Sequence, residues 1–187
     1  MRLAKINSRT VVGVVLCLLA LAALPRPAAA QQPAPEKRIA LVIGNGAYPK
    51  GALATAANDA GLIAQTLQAA GFDVVGARDL DADTLRKSFR DFIHKAQSSD
   101  GNTVAMVYLA GYGMQLAGEN YFMPVDANIG SEVDIPTEGL RLSDYIRQLA
   151  ATQLKAGIVV LDAARQQPFV TNGSTIAGGL ALVEPDN

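Results

Sequence analysis

Cysteine and histidine are almost absent from this 187-residue sequence, which contains one residue of each type. Cys17 lies in an apolar N-terminal stretch, and removal of that stretch would leave neither a thiol nor a disulfide. His94 falls beside Arg90 and Asp91 on the polar side of a predicted helix, where a solvated histidine is expected. Because a catalytic thiol needs a base within hydrogen-bond reach, these absences argue against a Cys/His dyad in the mature chain.

Long hydrophobic runs are also missing, apart from the uncharged stretch 11–24. Its fourteen residues are too few to span about 30 Å of hydrocarbon comfortably, which disfavours the alternative of a membrane anchor. Three basic residues lie before position 10, and an Ala-Ala-Ala sequence ends at Ala30. This order predicts a signal peptide over 1–30 with cleavage after Ala30. We therefore expect a periplasmic or secreted protein without a membrane span after cleavage, beginning with a disordered leader over 31–37.

Positive charge is scarce in the expected mature chain. Residues 1–30 hold four of the sixteen basic residues and none of the seventeen acidic ones, which leaves a net charge near −5. Nucleic acids and anionic membranes select basic surfaces, so neither is expected as a partner. A peptide or protein partner with basic side chains is compatible with this balance, and the sequence leaves the oligomeric state open.

The apolar runs and turn signals predict one α/β domain over 38–187. The order strand, helix, strand, helix, strand, hairpin, helix, strand predicts a mostly parallel sheet with helices on both faces. The predicted strands are 39–43, 72–75, 104–109 and 158–161, with a hairpin over 114–123. The branched residues of 158–161 predict a strand that is buried on both faces.

Three helices are predicted from capping residues and apolar periodicity. The first is expected to bury a face that includes Leu62 and to stop at Gly71. The second is expected to end near Gln97, and the third near Thr152. The candidate residues at their starts, in chain order, are Thr55 or Asn58, Asp81 or Asp83, and Ser143.

Two polar turns directly follow predicted strands. Ala110–Gly113 reads A-G-Y-G, and Asp162–Arg165 reads D-A-A-R. Ligands of open α/β sheets bind just past the carboxyl ends of the strands, so a site is expected where these turns meet. The glycine-containing loop 44–51 matches neither phosphate-binding pattern, which disfavours the alternative of a nucleotide-binding flavodoxin-like module.

Four segments together resemble the caspase-like cysteine peptidases, in particular the bacterial orthocaspase and metacaspase-like members. Arg38–Asn45 resembles the family's opening R-x-A-L-V-I-G-N, and Ala57–Ala60 resembles its N-D-A helix start. Asn120–Ala127 resembles N-Y-x-x-P-V-D-A, and Asp162–Phe169 resembles D-A-C-R-x-x-P-F. The order and spacing of these segments make the resemblance specific. It implies a three-layer α/β/α caspase-like sandwich.

The resemblance also implies that Tyr112 and Ala164 stand at the two positions of the catalytic dyad. In the family, the first loop reads G-H-G and carries the general base, and the second reads D-x-C-R and carries the nucleophile. Alanine has no nucleophilic atom, and tyrosine, with a pKa near 10, is a poor base near neutrality. We therefore expect a pseudoenzyme with no intact catalytic residue. The simplest role for Tyr112 is to pack its ring over the strand ends.

Two acidic residues, Asp59 and Asp162, match positions that line a pocket for a basic side chain in metacaspase-like members. Carboxylates favour guanidinium and ammonium groups by charge and by hydrogen bonding. Asp59 can equally be a helix N-terminal acid, and Asp162 can accept loop N–H groups. Glu119 and Asp134 lie near positions that some members use for calcium, but two scattered acids predict no metal site. No cofactor is expected.

The expected function is that of an exported, catalytically inactive caspase-like domain that binds a basic peptide segment or a partner protein. The alternative is a cysteine-type endopeptidase acting on Arg or Lys peptide bonds, which requires a nucleophile that the mature chain lacks. The resemblance also implies a further strand and helices after Pro185. Because the sequence ends at Asn187, we expect a C-terminally truncated domain in which the small-subunit-like part is mostly missing.

Overall fold

A computed structural model of the chain describes residues 35–169 and 179–182. The predicted signal peptide and most of the predicted leader lie outside these residues. The strands and helices of the described part are, in chain order, β1 (Lys37–Gly44), α1 (Ala56–Ala69), β2 (Asp73–Arg78), α2 (Ala82–Gln97), β3 (Thr103–Ala110), β4 (Gly113–Leu116), β5 (Glu119–Phe122), α3 (Ile135–Glu138), β6 (Leu140–Arg141), α4 (Leu142–Ala150) and β7 (Ala156–Asp162).

The central sheet has the strand order β2-β1-β3-β7, and all of its pairs are parallel. A separate antiparallel sheet is formed by β4, β5 and the short β6. Ala117 and Gly118 close the β4–β5 hairpin with positive φ angles of 50° and 83°, as two-residue hairpin turns require. The parallel central sheet with flanking helices confirms the predicted α/β fold class.

Helices cover both faces of the central sheet. Alternate residues of β1 and β3 turn to opposite sides, which separates two layers of core. One layer packs under α2 and α4 and contains Ile39, Leu41, Ile43, Val107, Leu109, Leu85, Phe89, Phe92, Leu142 and Leu149. The other layer packs under α1 and contains Ala40, Val42 and Tyr108. None of the helices in the described ranges combines the length and apolar character that crossing a membrane requires.

Helix α1 rests on the sheet through small side chains. Ala56 and Ala60 are buried, whereas Leu62 is 63% exposed, so the prediction that Leu62 lies on the buried face is wrong. The contact depends on Gly44, where an added Cβ would lie 2.5 Å from the Ala56 carbonyl oxygen. Ile63 and Leu67 of the same helix pack against this core layer, whereas Leu62 lies on the part of the helix surface that faces solvent.

Strand β7 lies at the edge of the central sheet as described, which corrects the prediction that 158–161 is buried on both faces. Ile158 and Val160 are 43% and 37% exposed. They pair in register with Met106 and Tyr108, on the face that carries α1, and no described helix buries them. Val159 faces the opposite side and packs against the core under α4.

Two predicted helix starts have different outcomes. Asp81 caps α2, because its carboxylate accepts the Thr84 N–H at 2.8 Å. Ser143 does not cap α4, because this helix already begins at Leu142, one residue before Ser143. The Ser143 hydroxyl instead donates to the Glu119 carboxylate at 2.5 Å and thereby ties α4 to β5.

Candidate functional site

The loops after β3 and β7 meet at one end of the central sheet. Strand pairing extends to Ala110, which lies opposite Asp162. Beyond that pair, the Gly111 N–H donates to the Asp162 carbonyl at 3.2 Å, and the Gly113 N–H donates to the Ala163 carbonyl at 2.8 Å. These two hydrogen bonds hold the loop that carries Tyr112 beside the loop that leads to Ala164.

Tyr112 is a buried structural residue. Its ring packs edge-on against Tyr48 and Phe169, with centroid distances of 4.8 and 5.6 Å. The hydroxyl donates to the Gly51 carbonyl at 2.7 Å, and the residue is only 5% exposed. The ring thus packs over the strand ends, as expected, and its hydroxyl proton forms a hydrogen bond with a backbone carbonyl.

The loop after β1 is held by two polar side chains that sequence reasoning did not single out. The Tyr48 hydroxyl accepts the Tyr112 N–H at 3.1 Å and donates to the Met123 carbonyl at 2.9 Å. Burial raises the pKa of Tyr48 far above its usual value, so the hydroxyl remains a donor. Asp79, at a positive φ of 53°, accepts both N–H groups of residues 46–47 through one carboxylate oxygen.

Ala164 occupies the exposed position of the second loop, whereas the preceding Ala163 is fully buried. The Arg165 N–H donates to the Ala163 carbonyl at 2.9 Å and bends the chain at this point. The position that the resemblance assigns to a nucleophile is therefore accessible to solvent. It presents a methyl group there.

Asp162 lies at the end of β7, and its carboxylate is held by two side chains. Oδ2 accepts the Tyr108 hydroxyl at 3.3 Å, and Oδ1 accepts Nη2 of Arg165 at 3.0 Å. The Asp162 and Arg165 side chains are 44% and 32% exposed. Sequence reasoning singled out Asp162 but not these two partners, although the three-residue spacing of Asp162 and Arg165 was visible.

Asp59 lies in the first turn of α1 and in the neighbourhood of the same tyrosine. Burial is the main cause that raises the pKa of Tyr108, and the negative charges of Asp162 and Asp59 raise it further. The positive charge of Arg165 has the opposite effect. The two predicted pocket acids thus share one electrostatic environment around the Tyr108 hydroxyl. Within the described residues, no hydrogen bond or ion pair engages the Asp59 carboxylate.

A third segment reaches this end of the sheet from the C-terminal part of the chain. The Asn120 side-chain amide donates to the Ala181 carbonyl at 3.0 Å and accepts the Ala181 N–H at 2.7 Å. An added Cβ on Gly113 would lie 2.5 Å from Leu180 and 2.8 Å from the Ala163 carbonyl oxygen. Asn120 and Gly113 therefore shape the packing of residues 179–182 against the two loops.

The acids near the family's calcium positions have local structural partners. Asp134 accepts the N–H groups of Gly130 and Ser131, which lower the pKa of its carboxyl below the usual value. Glu119 accepts the Ser143 hydroxyl. In the ranges that the structure describes, no cluster of three acidic, histidine or cysteine residues is arranged to hold a metal ion.

Comparisons with known proteins give one family and one solved structure of similar fold. A family model described as the caspase domain matches residues 37–184. The crystal structure of protein GSU0716 from Geobacter sulfurreducens superposes with a TM-score of 0.52 and 15% sequence identity. That match covers 67% of this chain and 50% of the other, so the chain spans about half of that protein. No curated protein matches the sequence.

Proposed function

The chain belongs to the caspase-domain family, and on that premise we propose that it is an exported, catalytically inactive member that binds a basic peptide segment. The observation that carries this proposal is the pairing of an exposed methyl group at Ala164 with the buried, hydrogen-bonded ring of Tyr112. Peptide cleavage by this family's chemistry needs a thiol at the position of Ala164 and an imidazole at the position of Tyr112.

Inactivity follows from the atoms available at the strand ends. Ala164 provides no nucleophile, so an acyl-enzyme cannot form on this residue. The Tyr112 hydroxyl donates to the Gly51 carbonyl and is a poor base at neutral pH. Cys17, the one cysteine of the sequence, lies within the predicted signal peptide and would be lost on export.

Binding of a basic side chain is supported by Asp162, which accepts the Tyr108 hydroxyl, and by Asp59, whose negative charge also raises the pKa of Tyr108. A carboxylate that is partly exposed at a strand end can exchange its partner for an incoming guanidinium group. Export is supported by the order of basic start, apolar run and Ala-Ala-Ala sequence at the N-terminus. The competing function is an active cysteine endopeptidase cleaving after Arg or Lys.

Turnover of arginine-terminated fluorogenic peptides separates these two functions. With the purified wild type, we expect fluorophore release to be no faster than spontaneous hydrolysis of the peptide in buffer. Tyr112→His/Ala164→Cys restores the atoms of a dyad and should show turnover above that background. Ala150→Cys carries the same thiol on an exposed position of α4 and serves as the matched control. Wild-type turnover at a rate typical of working proteases would refute the proposed inactivity.

Binding is tested with a fluorescein-labelled peptide that ends in arginine, by fluorescence polarisation at low ionic strength. Asp162→Asn should weaken binding roughly fivefold to tenfold, because a charge-assisted hydrogen bond to the ligand is lost. Asp144→Asn removes a carboxylate that pairs with Arg147 at the same three-residue spacing and should leave the affinity unchanged. Equal affinities of wild type and Asp162→Asn would rule out the acidic pocket, which is the proposed binding site formed by Asp59 and Asp162.

A further inference from the structure

The Asp162 carboxylate already holds a guanidinium group, that of Arg165, which belongs to the same loop. We propose that Arg165 is an internal competitor that partly closes the acidic pocket and that an external basic side chain must displace. This competition rests on the basic-segment binding proposed above and adds a residue that regulates it. The ligand class is a peptide with an exposed arginine side chain.

The geometry of the contact is that of a replaceable partner. Arg165 reaches Asp162 through one nitrogen, Nη2, at 3.0 Å from Oδ1. The second carboxylate oxygen accepts the Tyr108 hydroxyl at 3.3 Å, so the two side chains do not form the bidentate pair that makes arginine–carboxylate contacts strong. Both side chains retain substantial exposure, 44% for Asp162 and 32% for Arg165. Water and salt therefore screen their attraction.

The position of Arg165 also leaves one of its own donors unused. Nε is buried and has no hydrogen-bond acceptor among the described residues, which is unfavourable for a charged group. A guanidinium arriving from outside is free to choose its approach, whereas the Arg165 side chain is limited by its attachment three residues after Asp162. An external arginine can therefore compete with the internal one in spite of the high local concentration of Arg165.

Asp59 gives the external ligand an additional partner. Its carboxylate lies close enough to affect the pKa of Tyr108, and no described residue pairs with it. A ligand that contacts both Asp59 and Asp162 gains two carboxylates. Among the described residues, Arg165 forms an ion pair with Asp162 alone. This difference favours displacement by a ligand while keeping the pocket capped in its absence.

Removal of the internal guanidinium tests the competition. Arg165→Gln should bind the fluorescein-labelled peptide ending in arginine roughly twofold to fivefold more tightly than wild type, the range expected for loss of a partly exposed ion pair. Arg147→Gln removes an arginine that pairs with an aspartate three residues before it on α4, and its affinity should equal that of wild type. A peptide with citrulline in place of arginine should show no gain with any variant.

Each outcome separates the internal competition from the proposed function. Wild-type binding that Arg165→Gln leaves unchanged or weakens would overturn the competition and leave the basic pocket standing. If neither wild type nor Arg165→Gln binds the peptide, both the competition and the proposed basic-segment binding are overturned, because the pocket then fails to bind even without Arg165. Circular dichroism checks that the variant is folded. Arg165→Lys, which keeps a cation without a guanidinium, should fall between wild type and Arg165→Gln, and an affinity below wild type would also contradict the competition.

Discussion

At the scale of single residues, Tyr112 contributes ring packing and one hydrogen bond at the strand ends. Its ring completes a cluster with Tyr48 and Phe169, and its hydroxyl is bonded to the Gly51 carbonyl. Gly51 has a positive φ of 69°, and an added Cβ there would lie 2.9 Å from the Tyr112 hydroxyl. The loop after β1 and the loop after β3 are therefore fitted to a tyrosine at this position.

Tyr112→Phe removes one hydrogen bond while keeping the ring. We expect the free energy of unfolding to fall by about 1 kcal/mol, since the Gly51 carbonyl loses its partner. Urea denaturation followed by circular dichroism measures this change. Tyr145→Phe is the control, because the Tyr145 ring packs against Phe89 but its hydroxyl bonds to no described residue. An equal loss in both variants would show that the Gly51 bond contributes nothing.

Tyr48 predicts a loss of stability at alkaline pH. Burial raises its pKa in the folded protein, whereas an unfolded tyrosine ionises near pH 10. Above that pH the unfolded chain loses a proton that the folded protein keeps, so stability is full below pH 10 and declines above it. Each unit of pH then costs about 1.4 kcal/mol.

Tyr48→Phe should be less stable than wild type at pH 7, because it loses both hydrogen bonds of the hydroxyl. Between pH 10 and 11 its stability should nevertheless fall by about 1 kcal/mol less than that of wild type, because the unfolded tyrosine is only partly ionised in this interval. Chemical denaturation at several pH values measures both effects. Parallel slopes for the two proteins would mean that Tyr48 ionises in the folded state as it does in the unfolded chain.

At the scale of elements, the order of strands and helices could be predicted because each has a clear local signal. Periodic apolar residues and a cap at Asp81 or Asp83 predicted α2, and two apolar segments around residues 117–120 predicted the β4–β5 hairpin. The buried face of α1 could not be predicted in the same way. Hydrophobicity favours Leu62. The buried face instead carries Ala56 and Ala60, which lie at the close approach to Gly44, and this approach depends on tertiary packing.

The contact between α1 and β1 predicts opposite effects for two glycines. Gly44→Ala places a Cβ 2.5 Å from the Ala56 carbonyl oxygen and 2.6 Å from the Ala60 Cβ, so the helix must move. We expect a loss of roughly 1–3 kcal/mol. Gly61→Ala adds a Cβ with no neighbour within 4 Å on the same helix and should stabilise by up to about 1 kcal/mol. Thermal and urea unfolding of both variants measures the difference, and a neutral Gly44→Ala would contradict the close packing.

Strand β7 shows a second limit of local signals. Its residues Ile158 and Val160 are those of a buried strand, yet they are partly exposed because no described element lies beyond this edge on the α1 face. Exposure of a strand depends on its neighbours in the sheet, which the residues of the strand itself do not specify. The same is true of Arg165, whose role became visible only from the position of its side chain on Asp162.

At the scale of the whole molecule, the parallel sheet brings three segments together at one of its edges. The ends of β3 and β7 supply Tyr112 and Ala164, and α1 and β7 supply Asp59 and Asp162. The motifs and their order allowed this convergence to be predicted, because carboxyl ends of parallel strands share one edge. The chain belongs to the caspase-domain family, and the two strand-end positions that we propose as its dyad positions hold tyrosine and alanine.

Covalent trapping of a nucleophile tests this description of the molecule. Wild type and Tyr112→His/Ala164→Cys are incubated with an arginine-terminated acyloxymethyl ketone, which alkylates an activated thiol, and the intact mass is measured. The double variant is expected to gain one adduct, as the positive control for access to the strand end. The wild type is expected to keep its original mass. An adduct on the wild type, located in the loop that contains Tyr112 or the loop that contains Ala164, would contradict the absence of a nucleophile.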